Sequence, residues 1–478
     1  MPSNKLILEK KELPESIKML SELNDKFYSA EGRYPMVYIE TYGCQQNEAD
    51  SERILGILTS SGYEITQDKQ KSDLILVNTC AVREHAELKA LSNTGNLKHL
   101  KETNPNLIIG VCGCMIQQEH RADDIKHKYP YVDFVFGTNM MHQIANIVYT
   151  ARMKKGRGFF VEDYQINPGT MREDIPVVRE SSYKAWVSTM YGCNNFCSYC
   201  VVPYVRGRER SRKKEMIVSE IRSLVEQGYR EITLLGQNVN SYGKDLYGKA
   251  EFGSLLRDIC KIEGNFWIRF MTSHPKDATE ELCEIISENP KISNHFHLPM
   301  QSGSNDILKA MHRGYTREEY FRYIDLLRAK IPDICITSDF IVGFPGETEQ
   351  DFELTLDALK RIKFDQVYSF VYSKRKGTPA EKMADQIPEQ VKKERITRLL
   401  EIQGEISGEN NKKYEGKTVS VLVEGESKTD PDMFTGRCYH NKLVHFKKPQ
   451  NAQDIIGTFV DIKIEKGDAF SMKGNIIQ

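Results

Sequence analysis

Between residues 35 and about 150 the chain alternates short apolar runs, at 36–40, 74–78, 107–111 and 134–136, with amphipathic stretches such as 49–61 and 84–100. Apolar runs of four or five residues separated by helical periodicity predict a parallel sheet covered by helices. From 154 to 182 the periodicity is lost in a polar, proline-containing stretch that reads as a linker. A second series then begins, with strand candidates at 185–189, 231–235, 267–271, 295–298, 334–340 and 366–370 and helical patterns between them. Six strands in that rhythm predict an open parallel (β/α)6 barrel. A charged helix over 389–410 leads into alternating segments, including 419–423 and 459–464, which predict a small β-barrel. The fold class is α/β, with an N-terminal extension over 1–33, a parallel-sheet domain over 34–153, the linker at 154–182, the central barrel over 183–411 and the small barrel over 412–478.

Composition narrows the function classes. The 478 residues carry a formal charge of −1, so no global field attracts a polyanion, and a nucleic-acid partner must be met by local patches. Residues 1–33 are rich in Lys and Glu and hold no continuous apolar segment, which predicts neither a secretory signal nor a membrane anchor, and hence a cytoplasmic protein. Eleven cysteines in a reducing compartment read as metal ligands and buried thiols rather than a disulfide framework.

The densest chemistry lies in Cys193-Asn194-Asn195-Phe196-Cys197-Ser198-Tyr199-Cys200. Three thiolates in a CxxxCxxC run suit three irons of a 4Fe-4S cluster and leave the fourth iron open. A structural zinc site wants four protein ligands, and no fourth candidate lies nearby; scattered core cysteines are the other alternative. Cys44, Cys80 and Cys114 form a second set, each just after one of the first-domain strands. In a parallel sheet those positions share the edge where such folds build their sites, so three thiols distant in sequence are expected to converge. Cys112, two residues before Cys114, is assigned to the strand's core and Cys114 to the site.

The cysteine triplet resembles the cluster loop of radical S-adenosylmethionine (SAM) enzymes. With TYGCQQNEADSE from Thr41, NTCAVREHA from Asn78, LLGQNVNSYG from Leu234 and SDFIVGFPGET from Ser338, the chain from about residue 35 onward resembles the radical SAM methylthiotransferases, nearest the MiaB type acting on N(6)-isopentenyladenosine in tRNA. Gln45-Gln46 fits neither the Pro-Lys of the type acting on a ribosomal protein nor the Lys-Val of the type acting on threonylcarbamoyladenosine. The MiaB type usually has Met where Gln46 stands. The resemblance implies a cluster domain, a radical SAM barrel and a C-terminal TRAM domain, with two 4Fe-4S clusters and SAM as cofactors. Cys193, Cys197 and Cys200 would hold the radical-generating cluster, and Cys44, Cys80 and Cys114 the cluster that carries sulfur. One SAM would methylate that sulfur and a second would give the radical that activates carbon 2 of the adenine. An electron donor such as flavodoxin or ferredoxin and a sulfur donor are implied as partners, alongside the tRNA anticodon stem-loop.

SAM contacts are expected at the C-terminal ends of the barrel strands: Gln237 and Asn238 after the second, Ser273 after the third, Gln301 and Ser302 after the fourth, and Ile341 and Gly343 around the turn after the fifth. The same residues also suit loop capping and turns. Phosphate contacts are expected from Arg206, Arg208 and Arg210, with Arg212, Lys213 and Lys214 behind them, and from Arg313 and the 374–376 basic triplet. Such a charge run is otherwise a solvated face. In the last domain Phe434, Arg437, Tyr439 and His445 are candidates to stack on bases or fill the small core. Two other functions use the same residues: methylthiolation of a ribosomal protein, and a non-catalytic iron-sulfur RNA-binding protein.

Overall fold

The computed structural model describes residues 5–82, 84–154, 156–162, 164, 172–449 and 452–477. The chain forms two compact units, one of Met1–Glu180 with Tyr191–Asn194 and Val201–Arg210, the other of Ser181–Met190, Asn195–Cys200 and Ser211–Gln478.

In the first unit the four expected strands appear as Met36–Thr41, Leu74–Thr79, Ile108–Gly113 and Phe134–Phe136. Glu64–Ile65 extends the sheet beyond Met36–Thr41, and Arg157–Phe160 followed by Lys5–Leu6 extends it beyond Phe134–Phe136; every pairing is parallel. Alternate residues of the central strands feed two cores. Leu74 and Leu76 face helices Leu13–Glu31, Gln45–Ser60 and Ile144–Met153, whereas Ile75 and Val77 face Glu84–Asn96 and Glu119–Lys128. Burial on both faces is why these strands read as continuous apolar runs.

Two stretches set apart in the sequence belong to this unit. Residues 1–33, read as an extension, supply the Lys5–Leu6 strand and the helix Leu13–Glu31, whose Leu13 and Leu20 are core residues. Within 154–182, read as a linker, Arg157–Phe160 is a strand, and Val178 N–H bonds to the Glu52 carbonyl at 3.0 Å. Residues 155, 163 and 165–171 of that stretch lie outside the described part.

The second unit opens with three parallel strands, Lys184–Ser188, Glu231–Leu235 and Trp267–Phe270, and continues with His295–His297, Cys335–Val342 and Gln366–Val371. A single parallel bridge between Ile268 and Ile292 joins the two halves. Among the described residues no pairing closes the first strand on the sixth, so the barrel is open as expected. Thr316 with Glu319 and Thr348 with Asp351 form capping boxes at the starts of helices Arg317–Lys330 and Glu349–Ile362, satisfying amide groups that a helix start leaves unpaired.

The helix Glu389–Lys412 leads to a closed five-stranded barrel in the order Thr418–Glu426, Met433–Cys438, Leu443–Lys447, Met472–Ile476 and Phe459–Gly467. It docks on the first strands of the open barrel within the same unit. Arg269, ion-paired with Glu231 at 2.6 Å, donates to the Cys438 and Tyr439 carbonyls at 2.9 and 3.2 Å.

Candidate active site

The first-domain cysteines converge. Helix Gln45–Ser60 and helix Glu84–Asn96 leave adjacent strands Met36–Thr41 and Leu74–Thr79 toward opposite faces, so a crevice forms between those strand ends. Cys44 stands at the N-terminus of helix Gln45–Ser60 and Cys80 one residue past Thr79. Cys114 follows Ile108–Gly113, its N–H on the Thr79 carbonyl at 2.9 Å. Gly43 and Gly113 permit this closeness: a Cβ at Gly43 would fall 2.7 Å from that of Cys80, and one at Gly113 2.4 Å from the Thr79 oxygen. Both adopt positive φ, +147° and +98°, where only glycine is unstrained.

Two asparagines hold the crevice. Asn47 Nδ2 donates to the Thr79 carbonyl at 2.9 Å and the Asn78 side-chain oxygen at 3.2 Å; Asn78 Nδ2 donates to the Asn47 carbonyl and Ser51 Oγ, each at 2.9 Å. Sequence reading passed over both, though each lies within three residues of a cysteine. Cys112 packs with Leu74, Leu76 and Phe134 in the core, as expected.

The thiols are electrically coupled. Cys44 is pulled down to about 6, first by a hydrogen bond with Cys80 and then by the charge of Arg206, against the opposing effect of burial; the amides at the helix start help. The same bond pushes Cys80 up. Burial pushes Cys114 up to about 11 in spite of Arg206.

Arg206 corrects the phosphate reading. It is buried, with Nε donating to Cys114 Sγ at 3.1 Å and Nη2 to Asp50 at 2.8 Å, so it is committed to the cysteine site and presents no charge to a backbone. Arg313 is corrected likewise: its Nη1 donates to Cys197 Sγ at 3.3 Å and its Nη2 to the Pro299 carbonyl at 3.0 Å, all buried. Arg212 is buried against the Ser188 carbonyl and Glu220. Arg208 is exposed, and Arg210 is half-buried over the Tyr164 ring.

Cys193 and Cys197 are buried and Cys200 half-buried. Cys193 N–H bonds to the Gly207 carbonyl at 3.1 Å. Cys197 and Cys200 share a turn through Cys200 N–H on the Cys197 carbonyl at 2.9 Å, and Ser198 anchors it to the Met311 and Ala310 carbonyls at 3.0 and 2.8 Å. Among the described residues no three His, Cys, Asp or Glu side chains close on one ion, the arrangement a mononuclear zinc site needs.

The barrel-strand ends carry unsatisfied polar atoms. Asn238 Oδ1, Ser273 Oγ and Gln301 Oε1 are buried without a hydrogen-bond partner. Such atoms are costly unless a ligand satisfies them, so these three fit a polar cofactor. His274, which the sequence reading missed, joins them: its Nδ1 accepts from Lys276 N–H at 3.3 Å and its Nε2 has no partner. Burial foremost, then Arg313, holds its pKa well below the usual imidazole value, so the ring is neutral and Nε2 carries the proton. Its position between Ser273 and the helix-starting Pro275 was the available signal.

Other expected positions differ. Gln237 is half-buried. Ser302 is fully buried and accepts from Ser304 N–H at 3.2 Å, so it shapes the turn. Ile341 packs beside Ile307 and Phe344. Gly343, at φ +71°, donates its N–H to Glu347 at 2.7 Å. In the small barrel Phe434 is a core residue against Phe446, which excludes base stacking. Tyr439 packs on Trp267 at 5.6 Å and donates to the Pro290 carbonyl, while Arg437 and His445 are half-buried.

Residues 36–137 match the uncharacterized protein family UPF0004, 187–359 the radical SAM superfamily and 412–477 the TRAM domain. The tRNA-2-methylthio-N(6)-dimethylallyladenosine synthase of Carboxydothermus hydrogenoformans is 52% identical over 440 residues, covering 92% of this chain and 99% of that protein. Its namesake from Clostridium tetani is 50% identical over 456 residues, or 95% and 99%, and that of Thermoanaerobacter pseudethanolicus 48% over 478 residues, or 100% and 99%. Among solved structures, the radical S-adenosylmethionine methyltransferase TsrM from Kitasatospora setae, with cobalamin and a [4Fe-4S] cluster bound, shares the fold at a TM-score of 0.54 and 15% identity over 72% of this chain and 77% of that one. At about half identity over essentially their whole length, with all three domains in place, the chain belongs to the family of the tRNA-2-methylthio-N(6)-dimethylallyladenosine synthases.

Proposed function

We propose that this enzyme converts N(6)-isopentenyladenosine beside the anticodon of tRNA to its 2-methylthio derivative, with two 4Fe-4S clusters and SAM. The observation that carries the reading is the convergence of Cys44, Cys80 and Cys114 in a chain that also bears the Cys193, Cys197, Cys200 triplet.

When bound, the clusters and SAM supply a radical able to take hydrogen from carbon 2 of the adenine and a methylated sulfur to replace it. The protein's part is positional. Cys44, Cys80 and Cys114 hold one cluster, with Arg206 neutralising part of its thiolate charge; Cys193, Cys197 and Cys200 hold the other, with Arg313 on Cys197. Asn238, Ser273 and Gln301 offer acceptors, and the His274 Nε2–H a donor, to SAM and the substrate base. Gln237 takes the SAM amino group, and Ile341 with Gly343 borders its adenine. Arg208 and Arg210 meet RNA phosphates.

Flavodoxin or ferredoxin supplies electrons, a separate donor restores sulfur, and the setting is the cytoplasm. Among the described residues no helix is long and apolar enough to cross a membrane. The decisive experiment incubates the anaerobically reconstituted enzyme with isopentenylated stem-loop, unmodified stem-loop and ribosomal protein in parallel, read by mass spectrometry. A gain of methylthio on the first alone supports the reading; modification of the ribosomal protein instead, or no SAM cleavage at all, overturns it.

A further inference from the structure

Arg53 lies on helix Gln45–Ser60, is only 8% exposed, and among the described residues has neither an ion-pair nor a hydrogen-bond partner. Its guanidinium lies over the face of Tyr191, 5.5 Å from the ring centroid. Most of the side chain is buried while the guanidinium keeps access to solvent and has no counter-charge, so an anion can reach it and pair with it.

Arg53 and Tyr191 line a cavity of ≈ 60 Å³ in the first unit. The other guanidinium groups there are engaged: Arg206 with Asp50, the lining's one carboxylate, Arg172 with Asp174, and Arg210 with the Arg206 carbonyl at 3.1 Å. Asp50 therefore does not neutralise Arg53. Among the other polar atoms of the lining, the Tyr191 hydroxyl and Asn139 Oδ1 are buried and unsatisfied. The hydroxyl donates, as does the guanidinium, and both suit an oxyanion. The Asn139 oxygen only accepts and needs a hydroxyl on or beside that oxyanion.

We infer that this cavity is a phosphate site, in which Arg53 and the Tyr191 hydroxyl bind the oxyanion and Asn139 accepts from a hydroxyl adjoining it. Hydrogen phosphate has both features, and so has the RNA backbone, whose 2′-hydroxyl stands beside each phosphodiester. Phosphate binding here does not depend on the function proposed above; only its RNA source rests on it.

The test titrates inorganic phosphate into the full-length protein, followed by calorimetry and phosphorus NMR, with Arg53→Gln and Tyr191→Phe alongside and iron content as the check on folding. Saturable binding, weakened roughly tenfold or more by Arg53→Gln and several-fold by Tyr191→Phe, is the expected result. Anticodon stem-loops carrying one neutral methylphosphonate at each position in turn then separate the sources. A position where the substitution costs the unaltered protein several-fold in affinity but Arg53→Gln nothing assigns the site to the RNA backbone; phosphate binding without such a position assigns it to the free ion. No phosphate titration together with no such position, or unchanged phosphate binding by Arg53→Gln, overturns the inference. If Arg53→Gln fails to retain iron, the Tyr191→Phe titration decides by the same criteria.

Discussion

Arg206 Nε sits 3.1 Å from Cys114 Sγ while the same guanidinium holds Asp50 at 2.8 Å, so one buried side chain couples a cysteine to a carboxylate on the neighbouring helix. Lysine keeps the charge but loses the planar fork that serves both partners at once. Arg206→Lys is therefore expected to lose iron from the first-domain set, or to shift its reduction potential on the order of tens of millivolts, because hydrogen bonds to cluster sulfurs set that potential. Iron analysis and EPR-monitored redox titration check it. Unchanged occupancy and potential would rule out the coupling.

Cys44→Ala, Cys80→Ala and Cys114→Ala are each expected to leave roughly half the iron of the unaltered protein and measurable reductive SAM cleavage, with methylthio transfer abolished. Cys112→Ser should keep both clusters while costing about 1–3 kcal/mol of stability, since it places a hydroxyl among Leu74, Leu76 and Phe134. Quantifying iron, sulfide, 5′-deoxyadenosine and product in parallel checks both halves. Activity in Cys114→Ala with loss in Cys112→Ser would reverse the ligand assignment.

Arg313→Gln removes a charged donor from Cys197 Sγ. The expected outcome is a large loss of SAM cleavage with the Cys44, Cys80, Cys114 cluster intact, visible as one surviving EPR signal. A variant that cleaves SAM normally but binds stem-loop more weakly would restore Arg313 to the RNA surface.

His274 and His295 are both buried, and burial is the foremost cause holding each well below the usual imidazole pKa. The unfolded chain takes up protons near pH 6.5 and the folded one does not. Their contribution is therefore complete above about pH 6.5 and is lost as pH falls, by up to about 1.4 kcal/mol per pH unit for each group. Denaturant unfolding of His274→Gln between pH 7 and 5 should show a pH slope shallower by about one proton than the unaltered protein; an equal slope would mean that His274 is charged in the fold.

Leu74–Thr79, Ile108–Gly113 and Glu231–Leu235 were legible because each buries a nearly unbroken run, Gln366–Val371 because of the apolar and polar alternation of a half-exposed strand, and the second cysteine set because each member lies just past a strand. Lys5–Leu6 and Arg157–Phe160 were not, since strands of two and four residues give periodicity no room. Arg206 and Arg313 were misread for a different reason. A dense run of cations signals solvent or phosphate by its composition, and nothing local says that one of them turns inward to a sulfur 92 residues away in sequence. His274 was invisible because an unsatisfied buried atom is a property of packing.

The Asn47–Asn78 network fixes the cysteine-bearing loops mainly through carbonyls, amides and Ser51, and Asn47 Oδ1 also accepts from Cys44 Sγ at 3.3 Å. Under the proposed function the sulfur held at this crevice leaves with every product and has to be replaced. A scaffold whose spacing is set largely by amides acts as a mould for that exchange: it is expected to keep its shape while its contents are renewed.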